Sequence, residues 1–227
     1  MLDYLTSYNV GKSIDFYMPI YAGVDEKDGA PMWYKSGYKG GLQHEYNETT
    51  MTKDYDQSAL SQDTGKKQYA PHYGGFGLTA SYKGVILNAE FSYVLGKNLI
   101  NNDRYFSDNP PTFAAAGYNQ SKDVLNSWKK VGDITDEPGV DYDRQFDTHL
   151  LENASFLRLK NLSLSYDFPK SWMEATHLVS NFRLILTARN LFTVTKYKGA
   201  DPEIDSNLTY GAYPSTRQFT VGAEITF

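Results

Sequence analysis

Arg217-Gln218-Phe219-Thr220-Val221-Gly222-Ala223-Glu224-Ile225-Thr226-Phe227 is the last stretch of the chain and the one whose reading decides the fold. Phe219, Val221, Ala223, Ile225 and Phe227 share one phase, and Gln218, Thr220, Gly222, Glu224 and Thr226 share the other. Strict period two marks a strand with one apolar and one polar face. The length suits a tilted strand crossing an apolar band about 25 Å tall. A soluble sandwich can end this way. An outer-membrane barrel has a specific use for such an ending, because its final strand must close the ring and leave no edge.

Composition agrees with either all-β reading. The 227 residues are 41% apolar and 15% aromatic, with 19 Tyr, and the mean hydropathy is -0.53. No stretch approaches the roughly 18 consecutive apolar residues of a transmembrane helix. Barrel strands alternate, so their mean hydropathy stays low, and Tyr suits a membrane interface, with its ring in lipid and its hydroxyl in water. With no cysteine there is neither a disulfide framework nor a thiolate metal site. A net charge of -5 without a basic patch argues against nucleic acid. Met1-Leu2-Asp3-Tyr4-Leu5 lacks the basic and apolar segments of a signal peptide. For an envelope protein, this places the expected natural start upstream of Met1.

Working back from the last strand, the period recurs. Asn181–Phe192 carries Phe182, Leu184, Leu186 and Ala188 in one phase. Phe156–Phe168 starts with Leu157 and Leu159 and continues with Leu162, Leu164, Tyr166 and Phe168, a slip that predicts a bulge at Lys160-Asn161. Gly77–Tyr93 inverts its phase across Lys83-Gly84, where a tight hairpin turn belongs. Ser13–Ala22, despite Pro19, and a strand starting at Met32-Trp33-Tyr34-Lys35 bring the expected number to seven. A short helix is expected within 169–181, and another within Thr112–Lys129, weakened by Gly117. Connectors near 23–31 and 83–85 are short, whereas 36–70, 97–154 and 193–216 are long, polar and read as surface loops. Such asymmetry is the rule in outer-membrane barrels.

Several segments carry a joint signal. They are Tyr21-Ala22-Gly23-Val24-Asp25 with Gly29-Ala30-Pro31-Met32-Trp33-Tyr34, Asn126-Ser127-Trp128-Lys129-Lys130-Val131-Gly132-Asp133 with Pro138, and Ala154-Ser155-Phe156-Leu157-Arg158-Leu159-Lys160-Asn161-Leu162. The most specific is the closing series: Arg189-Asn190-Leu191-Phe192-Thr193, Tyr197-Lys198-Gly199-Ala200-Asp201-Pro202-Glu203, Tyr213-Pro214-Ser215-Thr216-Arg217 and Phe227. In this order and spacing they resemble the SusC/RagA family of TonB-linked outer-membrane transporters, and Val131 departs from that family's usual Pro. The resemblance implies an all-β, antiparallel transmembrane barrel of about 22 strands, of which residues 1–227 would form the C-terminal part, an open curved sheet with long extracellular loops. The plug domain and TonB box would be absent from this chain. It implies import of glycans or oligopeptides across the cell outer membrane of a Bacteroidetes-type bacterium. A SusD-like lipoprotein would be the partner, and the TonB–ExbB–ExbD complex would act through the missing N-terminal region. The competing reading is a secreted, soluble β-domain that binds glycans.

No catalytic constellation emerges, and the chain reads as a non-enzyme. His44, His72, His149 and His177 lack metal-ligand spacing. No phosphate loop or nucleophile elbow is present. No cofactor is expected. The carboxylates Asp201, Glu203 and Asp205, or Asp133, Asp136 and Glu137, have the oxygen chemistry of a Ca²⁺ site, with solvated loop charge as the plainer reading. Asp201-Pro202-Glu203 is expected to fix the last loop by accepting backbone N–H bonds. Asn190-Leu191-Phe192 marks a strand leaving the membrane, with Phe192 in the aromatic girdle and Arg183, Thr187 and Arg189 facing the lumen. Substrate contact is expected from the loop aromatics Tyr105, Phe106, Tyr118, Trp128, Tyr142, Tyr210 and Tyr213, whose flat rings stack on sugars or on peptide side chains.

Overall fold

The computed structural model describes residues 6–7, 10–11, 13–174 and 178–227. Met1–Leu5 and His177 lie outside them. Five long strands form one antiparallel sheet: β1 (His72–Tyr82), β2 (Val85–Leu95), β3 (Phe156–Asp167), β4 (Asn181–Arg189) and β5 (Gln218–Thr226). Their order in the sheet is their order in the chain. Thr193–Thr195 extends the ladder of β3 beyond the end of β4.

The register gathers most of the apolar side chains on one face, with Ile86 and Ile185 as exceptions on the other. Phe76 lies opposite Phe91, Leu78 opposite Ala89 and Ala80 opposite Leu87. The row continues as Leu87–Leu164–Leu186–Val221 and Ala89–Leu162–Ala188–Phe219. On the other face run Asn88, Ser163, Thr187 and Thr220, and nearer one end Asp167, Arg183 and Glu224. Arg183 Nε donates to Asp167 Oδ1 at 2.5 Å. The slip in β3 is a register shift between Leu159 and Asn161, as expected.

One end of the sheet is plain. The hairpin there turns through Lys83 and Gly84, both at positive φ (46° and 85°), the type I′ geometry that matches strand twist. Gly84 is required twice, since a Cβ would also lie 2.7 Å from the Asp167 carbonyl oxygen. A short helix, Lys170–Glu174, and the aromatic group Tyr166, Phe168, Trp172 and Phe182 complete this end.

The other end carries everything else. Segments 13–71, 96–155 and 190–217 interlock there, and nearly all of the protein's buried side chains lie among them. Phe16, Met18, Ile100 and Leu150 form one core, Tyr21, Val24, Trp33 and Leu60 another, and Leu99, Ala154 and Tyr197 a third. Tyr21 Oη donates to the Asp136 carbonyl at 2.9 Å and Tyr55 Oη to that of Phe146 at 2.8 Å, across 115 and 91 residues of chain.

Two of the seven expected strands belong to this mass rather than to the large sheet. Ser13–Ala22 divides into Asp15–Pro19 and Tyr21–Val24, and the Met32 segment is Pro31–Tyr34. They pair in small separate sheets. The reason is burial: Tyr21–Val24 and Pro31–Tyr34 are buried on both faces, as in a globular core and unlike a barrel stave. The regions 36–70 and 97–154 are likewise folded, with strands at Ser61–Lys67, Asn98–Asn101 and Leu151–Asn153. The helix expected within Thr112–Lys129 is replaced by a π-helical turn, Pro110–Ala114, and a 3₁₀ turn, Lys122–Asn126. Prolines at its first two positions and Gly117 at φ 85° stop a longer helix.

Candidate functional site: the interlocked loops

The loops are held by two buried ionic knots. In the first, Glu137 is the hub. Arg104 Nη2 donates to its Oε1 at 3.1 Å, His149 Nε2 lies 3.1 Å from the same oxygen, and Arg144 donates to Oε2. Arg104 Nε also reaches Asp108 at 2.7 Å. Arg144 Nη1 lies 3.5 Å from His149 Nδ1, so both ring nitrogens face polar partners. Burial pushes the Glu137 carboxyl up, but His149, Arg144 and Arg104 outweigh it and hold the group well below the usual range. Neighbouring Asp147 is fully buried; burial raises its pKa despite bonds from Trp33 Nε1 at 2.6 Å and the His149 N–H at 2.8 Å.

The second knot fixes the last loop. Arg158, 2% exposed, donates to Asp201 at 2.5 Å, to Ser215 Oγ at 2.9 Å and to Thr193 Oγ1 at 2.8 Å, and it pairs with Glu203 at 2.7 Å. Asp201 also accepts the backbone N–H groups of Glu203 and Ser215, each at 2.9 Å. Burial would raise its pKa, yet Arg158 and these N–H groups hold it low. Asp201 and Glu137, each in one of the two calcium candidates, thus have their oxygens engaged by cations and N–H groups. Among the described residues, no group of three or more His, Asp or Glu is placed to hold a metal ion.

The seven aromatic candidates divide. Tyr105, Phe106, Tyr118 and Tyr210 come together around Phe113, which the sequence reading did not single out. Phe106 lies 5.0 Å from Phe113 and 5.2 Å from Tyr210, and Phe113 lies 6.0 Å from Tyr118, centroid to centroid. Tyr118 and Tyr210 are about two-thirds exposed, whereas Tyr105 packs on the core around Phe16. Trp128 and Tyr142 instead brace the chain near Gly29. Trp128 Nε1 donates to the Glu26 carbonyl at 3.1 Å and its ring leaves no room for a Cβ on Gly29, while Tyr142 Oη reaches the Asp28 carbonyl at 3.3 Å. Tyr213 is fully exposed. Of the end markers, Asn190 takes φ 51° where β4 stops, with Leu191 half-buried and Phe192 exposed, and Phe227 is exposed at the plain end. Pro202 is buried inside the second knot.

No family model matches the chain. Among solved structures, the RagAB peptide transporter superposes on all of it, at a TM-score of 0.87 and 41% identity, the chain covering 24% of that protein's chain. The chain belongs to the SusC/RagA family of TonB-linked outer-membrane transporters. The RagAB importer in its "open-open" and "closed-closed" states fits about equally well, at TM-scores of 0.87 and 0.86. TonB-dependent receptor P3 of Formosa agariphila is 31% identical over 166 residues, 67% of this chain and 16% of that protein. TonB-dependent receptor SusC of Bacteroides thetaiotaomicron is 30% identical over 141 residues, 62% of this chain and 14% of that protein. The chain therefore spans about a sixth of these curated relatives and a quarter of the solved transporter. The long sheet is a segment of a TonB-dependent receptor barrel, not closed on itself, with its apolar face outward.

Proposed function

We propose that residues 1–227 are the C-terminal barrel part of a SusC-type importer in the outer membrane. Working with a SusD-like lipoprotein, it takes up oligopeptides or glycans, energised by TonB–ExbB–ExbD through an N-terminal region outside this chain. The observation that carries this reading is the pairing of an outward apolar face with an interlocked loop mass at one end only. Leu78, Phe219 and Val221 are 59%, 75% and 72% exposed, a contiguous apolar surface that water does not tolerate and lipid does. β1 and β5 also leave two unpaired edges, which the rest of a barrel would complete. The loops recognise and the barrel conducts; no residue is assigned a chemical step. The soluble glycan-binding alternative requires the apolar faces to pack against a second sheet, and here they face outward.

Oligopeptide is the favoured cargo, because the 41% match is to a peptide transporter. The test is to purify the full-length receptor with its lipoprotein and offer mixed oligopeptides and mixed oligosaccharides together. Peptides should be retained and identified by mass spectrometry. Retention of oligosaccharides alone would reverse the cargo assignment.

A further inference from the structure

The register places Glu90, Arg158, Asp167, Arg183, Arg189 and Glu224 on the polar face of the long sheet. Most of these charges are matched within the chain. Arg183 pairs with Asp167 at 2.5 Å and lies 3.7 Å from Glu224, and Arg158 is tied into the second knot. Glu90 on β2 and Arg189 on β4 are left over. Both are exposed, and neither has an ion-pair or side-chain hydrogen-bond partner among the described residues.

Register also keeps the two from pairing with each other. Both lie opposite Asn161 of β3, one on each side of it. From β1 to β5 the row reads Gly77, Glu90, Asn161, Arg189, Gln218. Two inter-strand steps of about 4.8 Å set the backbones of Glu90 and Arg189 about 10 Å apart. Nothing else in the row carries charge, and Gly77, beside Glu90, has no side chain to cover it. The next row toward the plain end, Asn88, Ser163, Thr187 and Thr220, is uncharged and neither repels nor replaces either group. In a barrel this face is the interior one, out of reach of lipid. A carboxylate and a guanidinium held about 10 Å apart on strands form a rigid complement to a short zwitterion. An extended peptide advances about 3.3 Å per residue, so about three residues span that gap.

We infer that Glu90 and Arg189 hold a short, extended oligopeptide on the interior face, its α-ammonium against Glu90 and its α-carboxylate against Arg189. The inference rests on the peptide reading above and adds a length and a direction to it: about three residues, laid across β2, β3 and β4 with the amino terminus at β2. An ammonium offers three donors to the Glu90 carboxylate, and the planar Arg189 fork matches a carboxylate's two oxygens.

The test uses the full-length receptor with its lipoprotein and one synthetic tripeptide with uncharged side chains, in four forms: free, N-acetylated, C-amidated and blocked at both ends. Each block should weaken binding about fivefold, the upper scale of an exposed ion pair. Glu90→Gln should lose the discrimination against the acetylated form and keep that against the amide, and Arg189→Gln should do the reverse. A role in holding another part of the receptor predicts instead that both variants bind all four forms equally poorly, and that result overturns the inference. Equal binding of all four forms to the parent, or no binding of the tripeptide where mixed longer peptides are retained, overturns it and leaves peptide import standing. Discrimination undiminished in both variants places the end groups elsewhere and overturns it too. Retention of oligosaccharides alone overturns the peptide reading itself.

Discussion

Replacing Arg158 with Leu should release the last loop without disturbing the sheet. Arg158 is 2% exposed and Asp201 is 5% exposed, so the substitution leaves a buried carboxylate with two backbone N–H donors and the Ser215 hydroxyl but no guanidinium. Breaking one partner of a buried pair costs about 3–5 kcal/mol. The lower end applies here, because Asp201 keeps those N–H groups and the Lys97 ammonium lies close enough to feel its charge. Glu203, whose side chain is 34% exposed, adds little. About 3 kcal/mol is roughly a hundredfold in the opening equilibrium of residues 196–217. Limited proteolysis of the full-length receptor reads this where cleavage follows opening. Cuts between Glu203 and Tyr213 should appear about a hundredfold faster in Arg158→Leu. Joining it to Asp201→Leu removes the stranded charge and should return the rate to within about tenfold of the parent. A single variant cleaved within threefold of the parent, or a double variant as fast as the single, would refute the reasoning.

The Glu137 knot predicts a sign for the effect of pH. Glu137 and Asp201 have folded-state pKa values below their ordinary 4.5 and 3.8, so their contributions are present above those values and disappear as pH falls toward the folded ones. Asp147, raised by burial, acts in the opposite sense. Loop protection from protease should therefore hold down to about pH 4.5 and fall progressively below it, and Glu137→Gln should show a smaller fall from a lower start. At the plain end, Gly84→Ala places a Cβ 2.7 Å from the Asp167 carbonyl oxygen at φ 85°. Heat-modifiability on gels should show poorer folding of this variant, at a cost of at least about 1 kcal/mol, whereas Lys83→Gly should be tolerated.

The parts of the fold that sequence made legible are those with local periodicity. β5, the bulge near Lys160 and the Lys83-Gly84 turn follow from alternation and from which residues accept positive φ. The same alternation in Ser13–Ala22 gave the right secondary structure and the wrong sheet, because period two does not report whether the second face is also covered. The loop mass was hidden for a different reason. Its stabilising pairs join Trp33 to Asp147 and Arg104 to Glu137, 114 and 33 residues apart, and no local pattern marks such partners. Four of the seven aromatic candidates were brought together, while Phe113 was missed inside a π-helical turn that has no simple sequence signature. Trp128 carried a signal in retrospect, since Gly29 within Asp28-Gly29-Ala30-Pro31 is a turn glycine against which a large ring packs.

The central claim is that the two faces of β5 meet different media. The chain has no cysteine of its own, so a fluorophore can be placed singly at Val221 or at Thr220 in the full-length receptor, any cysteine outside this chain being replaced, and the protein reconstituted in bilayers containing brominated lipid. Quenching at Val221 and none at Thr220 is the expected result. Equal quenching at both, or at Thr220 alone, would contradict the barrel assignment.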